Sequence, residues 1–373
     1  MMLDLDIDQF WADDEKAHED RCFSKAAPQV AMGIRMSQEC VFAELGEEGN
    51  PWGHTPVERR IELNKRYNEK ALKIVGRTLL PEHFKKEENR LPEYRRIGEV
   101  FGGEYLFDGN SEWLKGNCNS SEELEKLLNR IEKLDLRSFI LPPNWESKKK
   151  FLFENYGVKP SMFHSIRGPV TLATSIFGVE NLAFLIYDEP DLARRFSETI
   201  SKVIIDYIDI FIEEAGYTQD NFPHGFAFAD DNCCLLTPDM YELFGYPILK
   251  KVFEKTSPLP EDDRYQHSDS AMGHLLPLLA RVGINECNFG PTVMISEIRK
   301  YMKNTLIEGQ LAPFTFMSND EAKIIAEVKR DCEMAREDDI RGVCLRTAGS
   351  INNGSLLTSM RTVMAAIQNY GRY

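Results

Sequence analysis

The sequence predicts an α/β fold, a (β/α)8 TIM-type barrel with an elaborated N-terminal region. The chain has 373 residues, a length that suits a large barrel with additions. Hydrophobic residues make up 42% of it and charged residues 28%, which is the composition of a folded globular protein. From about Val158 onward, strand-like and helix-like segments alternate through short loops. That alternation implies a parallel sheet with right-handed crossovers.

Eight strands are predicted from short apolar or aromatic runs, two of them before the regular alternation begins. They are Gln29–Met32, Glu104–Phe107, Ser161–Ile166, Gly225–Asn232, Arg264–His267, Ile284–Phe289, Leu306–Ala312 and Val343–Arg346. We therefore expect residues 1–373 to form a single barrel domain. Residues 1–150 supply divergent helical additions, and residues 151–373 supply most of the barrel.

The predicted helices have recognisable starts. Pro190 opens a long amphipathic helix, in which apolar residues recur at spacings of three and four. Thr237 is a predicted N-cap with proline at the next position. Ser318 is the predicted cap of a later helix. The other predicted helices are Thr55–Leu80, one starting at Ser120 with a capping box to Glu123, His274–Val282, Ser296–Lys303 and a final helix through Leu356 and Ile367.

The charge and the cysteines exclude several classes of function. Lysine and arginine number 45 against 60 acidic residues, so the net charge is −15. Such a surface repels polyphosphate, and no nucleic-acid partner is expected. The N-terminus is acidic where a secretory leader would be basic, and no apolar run has the length of a membrane span. The eight cysteines are scattered without a CxxC motif, which predicts reduced thiols and a cytoplasmic protein without a membrane partner.

Two segments about forty residues apart contain most of the ionisable groups that could meet in a pocket. In the first, Asp230, Asp231 and Asn232 follow an aromatic strand, and Asn232 is a candidate substrate-binding residue. Reactive groups in parallel α/β proteins lie at this end of the strands. Adjacent residues point in different directions, so we expect one aspartate to act as a base or to orient the substrate and the other to brace a loop. The alternative is a purely structural capping pair.

The second segment has His267 and Asp269, which alternate onto the same face of a strand. They are candidates for metal ligands or for a histidine–carboxylate acid/base pair. A hydrogen-bonded structural histidine is the alternative. Arg167 and Arg346 leave other strands and are candidates for binding an anion, or for surface ion pairs. Phe228 is a candidate for an aromatic pocket wall, or a core residue.

Five motifs along the chain occur together in a characteristic order. They are Gly168–Ala173, Tyr187–Pro190, Asp230–Asn232 before Thr237–Pro238, His267–Asp269 before Gly273–Pro277, and Asn369–Tyr373. Together they resemble the uroporphyrinogen decarboxylase-like superfamily. That group includes the decarboxylase of haem synthesis and methyltransferases that exchange methyl groups between corrinoid proteins and thiols or other acceptors. The resemblance covers roughly residues 150–373 and implies a distorted TIM-type barrel with its pocket at the C-terminal mouth of the strands.

The chain departs from the decarboxylase pattern at two places. The decarboxylase has a Met-Arg-Gln-Ala-Gly-Arg signature whose arginine binds substrate carboxylates, and the corresponding Met32–Ser37 offers only Arg35. The histidine that the decarboxylase has after its last strand is missing from Thr347–Ile351. The resemblance thus makes Arg35 a candidate substrate-binding residue. Without the other cations, the binding of a substrate with many carboxylates is disfavoured.

The chain also departs from the thiol-methylating branch, which has a zinc site of the form His-x-Cys plus a later cysteine. Here the first pair is His267-x-Asp269, and the later cysteine maps near Gly349. The resemblance therefore implies a harder site made by His267 and Asp269, with zinc as the candidate ion, or no metal at all.

These observations predict a methyltransferase-like enzyme that moves a methyl group between a small methylated substrate and a corrinoid protein or thiol. The corrinoid would be carried by a partner protein, and a homodimer stays open as the oligomeric state. Two alternatives remain. One is decarboxylation of a tetrapyrrole or related acid, with Arg35 and an aspartate in the key roles. The other is a non-catalytic ligand-binding barrel.

Overall fold

The computed structural model describes residues 3–53, 55–84, 89–107, 112–350 and 354–373. The strands are β1 (Ala31–Met32), β2 (Glu104–Phe107), β3 (Glu112–Lys115), β4 (Ser165–Arg167), β5 (Phe226–Ala229), β6 (Arg264–Ser268), β7 (Glu286–Phe289), β8 (Leu306–Glu308) and β9 (Val343–Leu345). The α-helices are α1 (Ile7–Ala17), α2 (Gln38–Leu45), α3 (Val57–Ile74), α4 (Ile97–Val100), α5 (Ser121–Ile131), α6 (Leu136–Ile140), α7 (Trp145–Tyr156), α8 (Pro169–Phe177), α9 (Val179–Asp188), α10 (Pro190–Glu214), α11 (Pro238–Thr256), α12 (Leu276–Val282), α13 (Ile295–Tyr301), α14 (Pro313–Met317), α15 (Glu321–Ala335) and α16 (Leu357–Tyr370).

Seven of the strands form one sheet in the order β1-β9-β8-β7-β6-β5-β4. The pairs β1/β9, β8/β9, β7/β8 and β4/β5 are parallel. β1, the first of these strands along the chain, lies beside β9, the last. Every other pair of neighbours in the sheet consists of strands that follow one another along the chain. A TIM-type barrel has the same succession. The predicted α/β class is confirmed.

One of the eight predicted strands has a different role. β2, predicted at Glu104–Phe107, pairs antiparallel with β3 in a separate two-stranded sheet. Both of its end residues are exposed. A strand of a parallel sheet is covered on both faces, which these side chains do not allow.

The helix starts follow local chemistry, with one correction. The Thr237 side chain accepts a hydrogen bond from the Met240 N–H at the start of α11, and Pro190 is the first residue of α10, both as predicted. The predicted cap Ser318 instead follows α14. Asp320 caps α15, and its side chain accepts from two backbone N–H groups of the first turn.

The chain divides into two compact units. The first consists of Met1–Phe84, His267–Leu276 and Ile284–Tyr373, and the second of Lys85–Gln266 and Pro277–Gly283. In the first unit, α15 packs against α16 beside β9. In the second unit, α10 packs against α11, with Phe196 and Phe244 in edge-on contact. The predicted single domain over 1–373 stays a prediction.

Within the described residues, no single helix is long and apolar enough to cross a membrane. Among the helices of the described ranges, α8 and α9 taken together are the only pair that meets the length and composition, and they are bent by 103° at Gly178.

Candidate functional site

The end of β6 brings His267 and Asp269 together in the first unit. His267 Nε2 lies 3.0 Å from Asp269 Oδ1. The histidine side chain is 23% exposed and the aspartate 48% exposed. Two residues apart on an extended chain, they share one side of the strand, as predicted. The pair is therefore both hydrogen-bonded and accessible to solvent.

Asn288 on β7 determines that Nδ1 of the His267 ring carries a proton. Its Nδ2 donates to the carbonyls of Glu308 and Thr347, the latter at 3.1 Å. Its Oδ1 accepts from the Gly349 N–H at 3.1 Å. These partners assign Oδ1 as an acceptor, so His267 Nδ1, 2.9 Å away, must carry a proton. His267 Nε2 is the ring nitrogen that faces the Asp269 carboxylate.

Gly349 lies directly against Asp269. Its φ is +107°, and a Cβ on it would overlap the Asp269 carboxylate. Only glycine fits this close approach without strain. The loop after β9 thereby holds Asp269 in place beside His267.

Asp230 has a different role in the second unit. Its side chain is fully buried, and it accepts hydrogen bonds from the Thr171 N–H at 2.7 Å and the Val170 N–H at 3.4 Å. These are backbone donors of the first turn of α8, which has no partner for them within the helix. Gly168 permits the approach, because a Cβ there would overlap Asp230. Of the two adjacent aspartates, Asp230 is thus the one that braces the structure.

The burial of Asp230 affects its titration. Burial raises the pKa of Asp230 from its ordinary value of 3.8 to about 6, while the hydrogen bonds from Thr171 and Val170 act in the opposite direction. Such a carboxyl is ionised at neutral pH and is already committed to the helix N-terminus. Asp231, half-buried in the 3-10 turn Asp231–Leu235, stays a predicted substrate-positioning residue.

Asn232 and Phe228 were predicted to bind substrate, and the side chains of both make contacts within the protein interior. Asn232 Nδ2 donates to Thr174 Oγ1 at 2.8 Å, and the Asn232 N–H donates to Thr171 Oγ1 at 3.0 Å. Phe228 is 1% exposed and packs edge-on against Phe253. Both residues belong to the support of α8 and the core, and a pocket-lining Phe228 does not agree with its burial.

The three predicted arginines have separate surroundings. Arg346 forms an ion pair with Glu308 at 2.7 Å, so its charge is compensated. Arg167 is half-buried at the end of β4 and lies near Glu112. The Arg96 guanidinium lowers the pKa of Glu112, and the charge of Arg167 lowers it to a smaller extent. Arg35 is exposed and lines a cavity, and it forms no ion pair with any residue in the described ranges.

Sequence reasoning missed a second cluster in the first unit, formed by His18, Cys22 and Cys344. One ligand atom of each lies within 4.8 Å of the others. His18 Nδ1 is 3.9 Å from Cys22 Sγ. A hydrogen bond from Cys344 lowers the pKa of Cys22, and a hydrogen bond to Asp14 raises the pKa of His18 to about 10. The four-residue spacing of His18 and Cys22 was the only local signal, because Cys344 is over 300 residues away in the chain.

The backbone that positions Cys22 is strained. Asp20, Arg21 and Cys22 have φ values of 49°, 51° and 65°, which is the left-handed region. For residues other than glycine this region costs roughly 1–2 kcal/mol each. The turn ends where the Cys22 carbonyl accepts from the Gly342 N–H at 2.8 Å, just before β9. This contact places Cys22 beside the strand that carries Cys344.

A cavity of about 1100 Å³ lies against this cluster. Its lining includes Trp11, His18, Cys22, Arg35, Glu308 and Cys344. Glu308 and Cys344 are cross-strand neighbours in register, and so is the pair of Ala31 and Cys344. Their side chains therefore lie on the same face of the sheet.

Comparison with known proteins identifies the family. The family model of uroporphyrinogen decarboxylase (URO-D) matches residues 156–370, which is more than half of the chain. The chain belongs to the uroporphyrinogen decarboxylase family. The resemblance inferred from the motifs is confirmed. No curated protein matches the chain at a significant level.

A solved structure agrees with the fold of this uroporphyrinogen decarboxylase family member. It is similar to a methyltransferase from Methanosarcina mazei, with 16% identity, a TM-score of 0.55, and coverage of 92% of this chain and 94% of that chain. It also matches a B12-independent methionine synthase from Shewanella sp. W3-18-1, with 10% identity, a TM-score of 0.34, and coverage of 83% and 86%. At such identities the first likeness shows the fold alone, and the second carries no weight.

The residues at the end of β6 do not fit the thiolate zinc site that the methyl-transfer branch implies. Both ring nitrogens of His267 face oxygen atoms, one of Asn288 and one of Asp269. The later cysteine of that branch maps near Gly349, which packs against Asp269. With no thiolate in this set, a metal ion there would be held by nitrogen and oxygen ligands, and the metal site predicted at His267 and Asp269 stays a prediction.

Proposed function

We propose that this family member is a methyltransferase-type enzyme that moves a methyl group between a small methylated substrate and a corrinoid protein or a thiol. The observation that supports this most directly is the His267–Asp269 pair with Asn288 behind it. The pair lies at an accessible position at the end of a strand, where barrel enzymes of this class bind their substrates.

Methyl transfer from a neutral ether oxygen or a neutral amine nitrogen needs a proton. When the methyl group passes to the acceptor, the electron pair of its bond stays on the leaving atom, which must then be protonated. A positioned acid accelerates such a step by roughly 10²–10⁴-fold. His267 Nε2 donates its proton to the leaving atom, and Asp269 holds the imidazolium that is present before the transfer.

Asn288 and Gly349 keep the pair in the required geometry. Asn288 Oδ1 accepts from His267 Nδ1, so the ring cannot turn without losing this hydrogen bond. Gly349 donates to the same oxygen and also contacts Asp269. A corrinoid carried by a partner protein would supply the nucleophile that takes the methyl group. A thiol substrate would supply its sulfur instead, and the proton that it loses would replace the one that His267 gives to the leaving atom.

The test uses the purified full-length protein with methoxyaromatic compounds, methylated amines and methyl thioethers. Reduced free cobalamin serves as one acceptor and a thiol as the other, and methylcobalamin or the methylated thiol is measured. We expect His267→Ala to lower turnover by at least about 100-fold. His224→Ala is the matched control, because His224 also pairs with an aspartate, Asp262, at 3.0 Å.

Two results would contradict the proposal. One is turnover by His267→Ala at the wild-type rate. The other is a wild-type protein that transfers no methyl group to either acceptor. Binding of a ligand that raises the melting temperature, without any turnover, would instead support the non-catalytic barrel.

Decarboxylation is the second candidate, and Arg35 is the observation that favours it. This arginine is exposed in the cavity without an ion pair among the described residues, so it could receive a substrate carboxylate. Uroporphyrinogen is the substrate to test, with release of carbon dioxide as the measurement. Turnover that Arg35→Ala lowers by 10-fold or more would replace the methyl-transfer proposal.

A further inference from the structure

The proposed reaction does not use His18, Cys22 and Cys344, although all three are metal-binding side chains. Zinc bonds of about 2.3 Å to sulfur and about 2.0–2.1 Å to nitrogen, in tetrahedral geometry, place the two ligand atoms roughly 3.6 Å apart. The observed separation of His18 Nδ1 and Cys22 Sγ is 3.9 Å. A movement of a few tenths of an ångström would bring them into one coordination sphere.

The orientation of His18 directs a lone pair toward the sulfur atoms. Its Nε2 lies 3.2 Å from the Met32 carbonyl oxygen, which can only accept, and 3.6 Å from Asp14 Oδ2. When the ring loses one proton, which metal binding requires, Nε2 therefore keeps its proton and Nδ1 presents a lone pair on the side of Cys22. Asp14 is itself held by the Met32 N–H at 2.7 Å. Metal-binding histidines commonly have such a carboxylate or carbonyl behind them.

The backbone beside each of the two sulfur atoms is constrained. Cys22 is presented by three consecutive left-handed residues, and such strain is concentrated at functional sites. Beside Cys344 the strand β1 is followed by Gly33, where a Cβ would come within 2.7 Å of the Cys344 sulfur. Both sulfurs are buried, while His18 is exposed toward the cavity.

We propose that His18, Cys22 and Cys344 bind a zinc ion through three protein ligands, with a fourth position open to the adjacent cavity. Two thiolates and one imidazole form a ligand set that selects zinc over magnesium or calcium. Two thiolate charges also compensate the charge of the ion in a largely buried place. Three protein ligands with an open position are the arrangement of a reactive zinc site, whereas structural sites are closed by four.

This site is separate in its residues from the His267–Asp269 pair, and its test does not depend on methyl transfer. The full-length protein is produced in zinc-supplemented medium and purified without chelators or a metal-affinity tag. Zinc per chain is measured by mass spectrometry. We expect about one zinc ion per chain. Cys22→Ser and Cys344→Ser should lose at least about 90% of it.

Matched controls separate this cluster from other thiols and from the other histidine. Cys287→Ser and Cys332→Ser change buried cysteines outside the cluster and should keep the metal. His267→Ala should also keep it. Asp14→Asn retains all three ligands and should weaken zinc binding by roughly 10–100-fold, which a merely structural thiol pair would not show.

Cobalt provides a measurement on the wild type that does not depend on whether a variant folds. Reconstitution with cobalt should produce a thiolate-to-cobalt charge-transfer band and the intense visible bands of tetrahedral cobalt. Absence of these bands after reconstitution overturns the proposal. The proposal is also overturned if His267→Ala loses zinc while Cys22→Ser keeps it. A Cys22–Cys344 disulfide, found by mass spectrometry in protein that is isolated without metal, overturns it as well.

Discussion

The segments after β5 and β6 share a sequence pattern, but their carboxylates have different roles. Asp230 is fully buried, and both of its oxygens accept backbone N–H groups of α8. Asp269 is half-exposed and pairs with the accessible His267. The difference teaches that an acidic residue after a strand is used structurally when a helix N-terminus faces it. It stays available for chemistry when a titratable partner faces it instead.

The strongest test of this comparison is the pH dependence of stability. Asp230 has a pKa of about 6 in the folded protein against an ordinary value of 3.8. Between these values the folded state binds more protons than the unfolded state. The contribution of Asp230 to stability is therefore fully present below about pH 4 and is lost as the pH rises through about 6. The total change is up to roughly 3 kcal/mol.

Asp230→Asn removes this titration and serves as the reference. The difference between wild type and Asp230→Asn in urea unfolding should shift in favour of the variant between pH 4 and pH 7. A difference that stays constant over this range would show that Asp230 does not titrate there. Asp269→Asn measured in the same way provides the comparison at the other segment.

The second test asks whether Asp269 belongs to the chemistry. An amide cannot hold the imidazolium of His267, so Asp269→Asn should lower methyl-transfer turnover by roughly 10–100-fold, or about 1.4–2.7 kcal/mol. Because the side chain is half-exposed, the unfolding midpoint should change little. A loss of stability with unchanged turnover would give Asp269 the same structural role as Asp230.

The third test uses two glycines with almost the same backbone. Gly349 and Gly354 have φ values of +107° and +104°. Alanine at either position should cost roughly 1–3 kcal/mol of stability, because both are strained. Only Gly349→Ala should also lower turnover, since its Cβ would displace Asp269. At Gly354 the nearest atom to an added Cβ is Met317 Cγ at 3.4 Å. Equal turnover in the two variants would contradict the role given to Gly349.

The smallest expected effect is at Asn232. Asn232→Ala removes the hydrogen bond to Thr174 Oγ1 and should cost about 1 kcal/mol of stability. A double-mutant cycle with Thr174→Val should show coupling, because the two side chains share that bond. A large rise in KM without loss of stability would restore the predicted substrate-binding role of Asn232.

The sequence by itself determined the α/β class, most strand positions from Phe226 onward and several helix starts. These features depend on neighbours in the chain. Alternation of apolar residues, proline at a first turn and Thr237 as a cap act within a few residues, so they can be read without the fold. The proximity of His267 and Asp269 could also be predicted from the sequence, because side chains two residues apart on an extended backbone point to the same side.

Only the tertiary structure decided which of these groups meet others. Asp230 and Asp231 look equivalent in the sequence until α8 takes the oxygens of one of them. Asn288 became part of the His267 site through contacts between strands. Cys22 and Cys344, more than 300 residues apart, come together through a left-handed turn that no composition or periodicity indicates. The physical reason is that long-range contacts arise from packing and register, which local propensities do not encode.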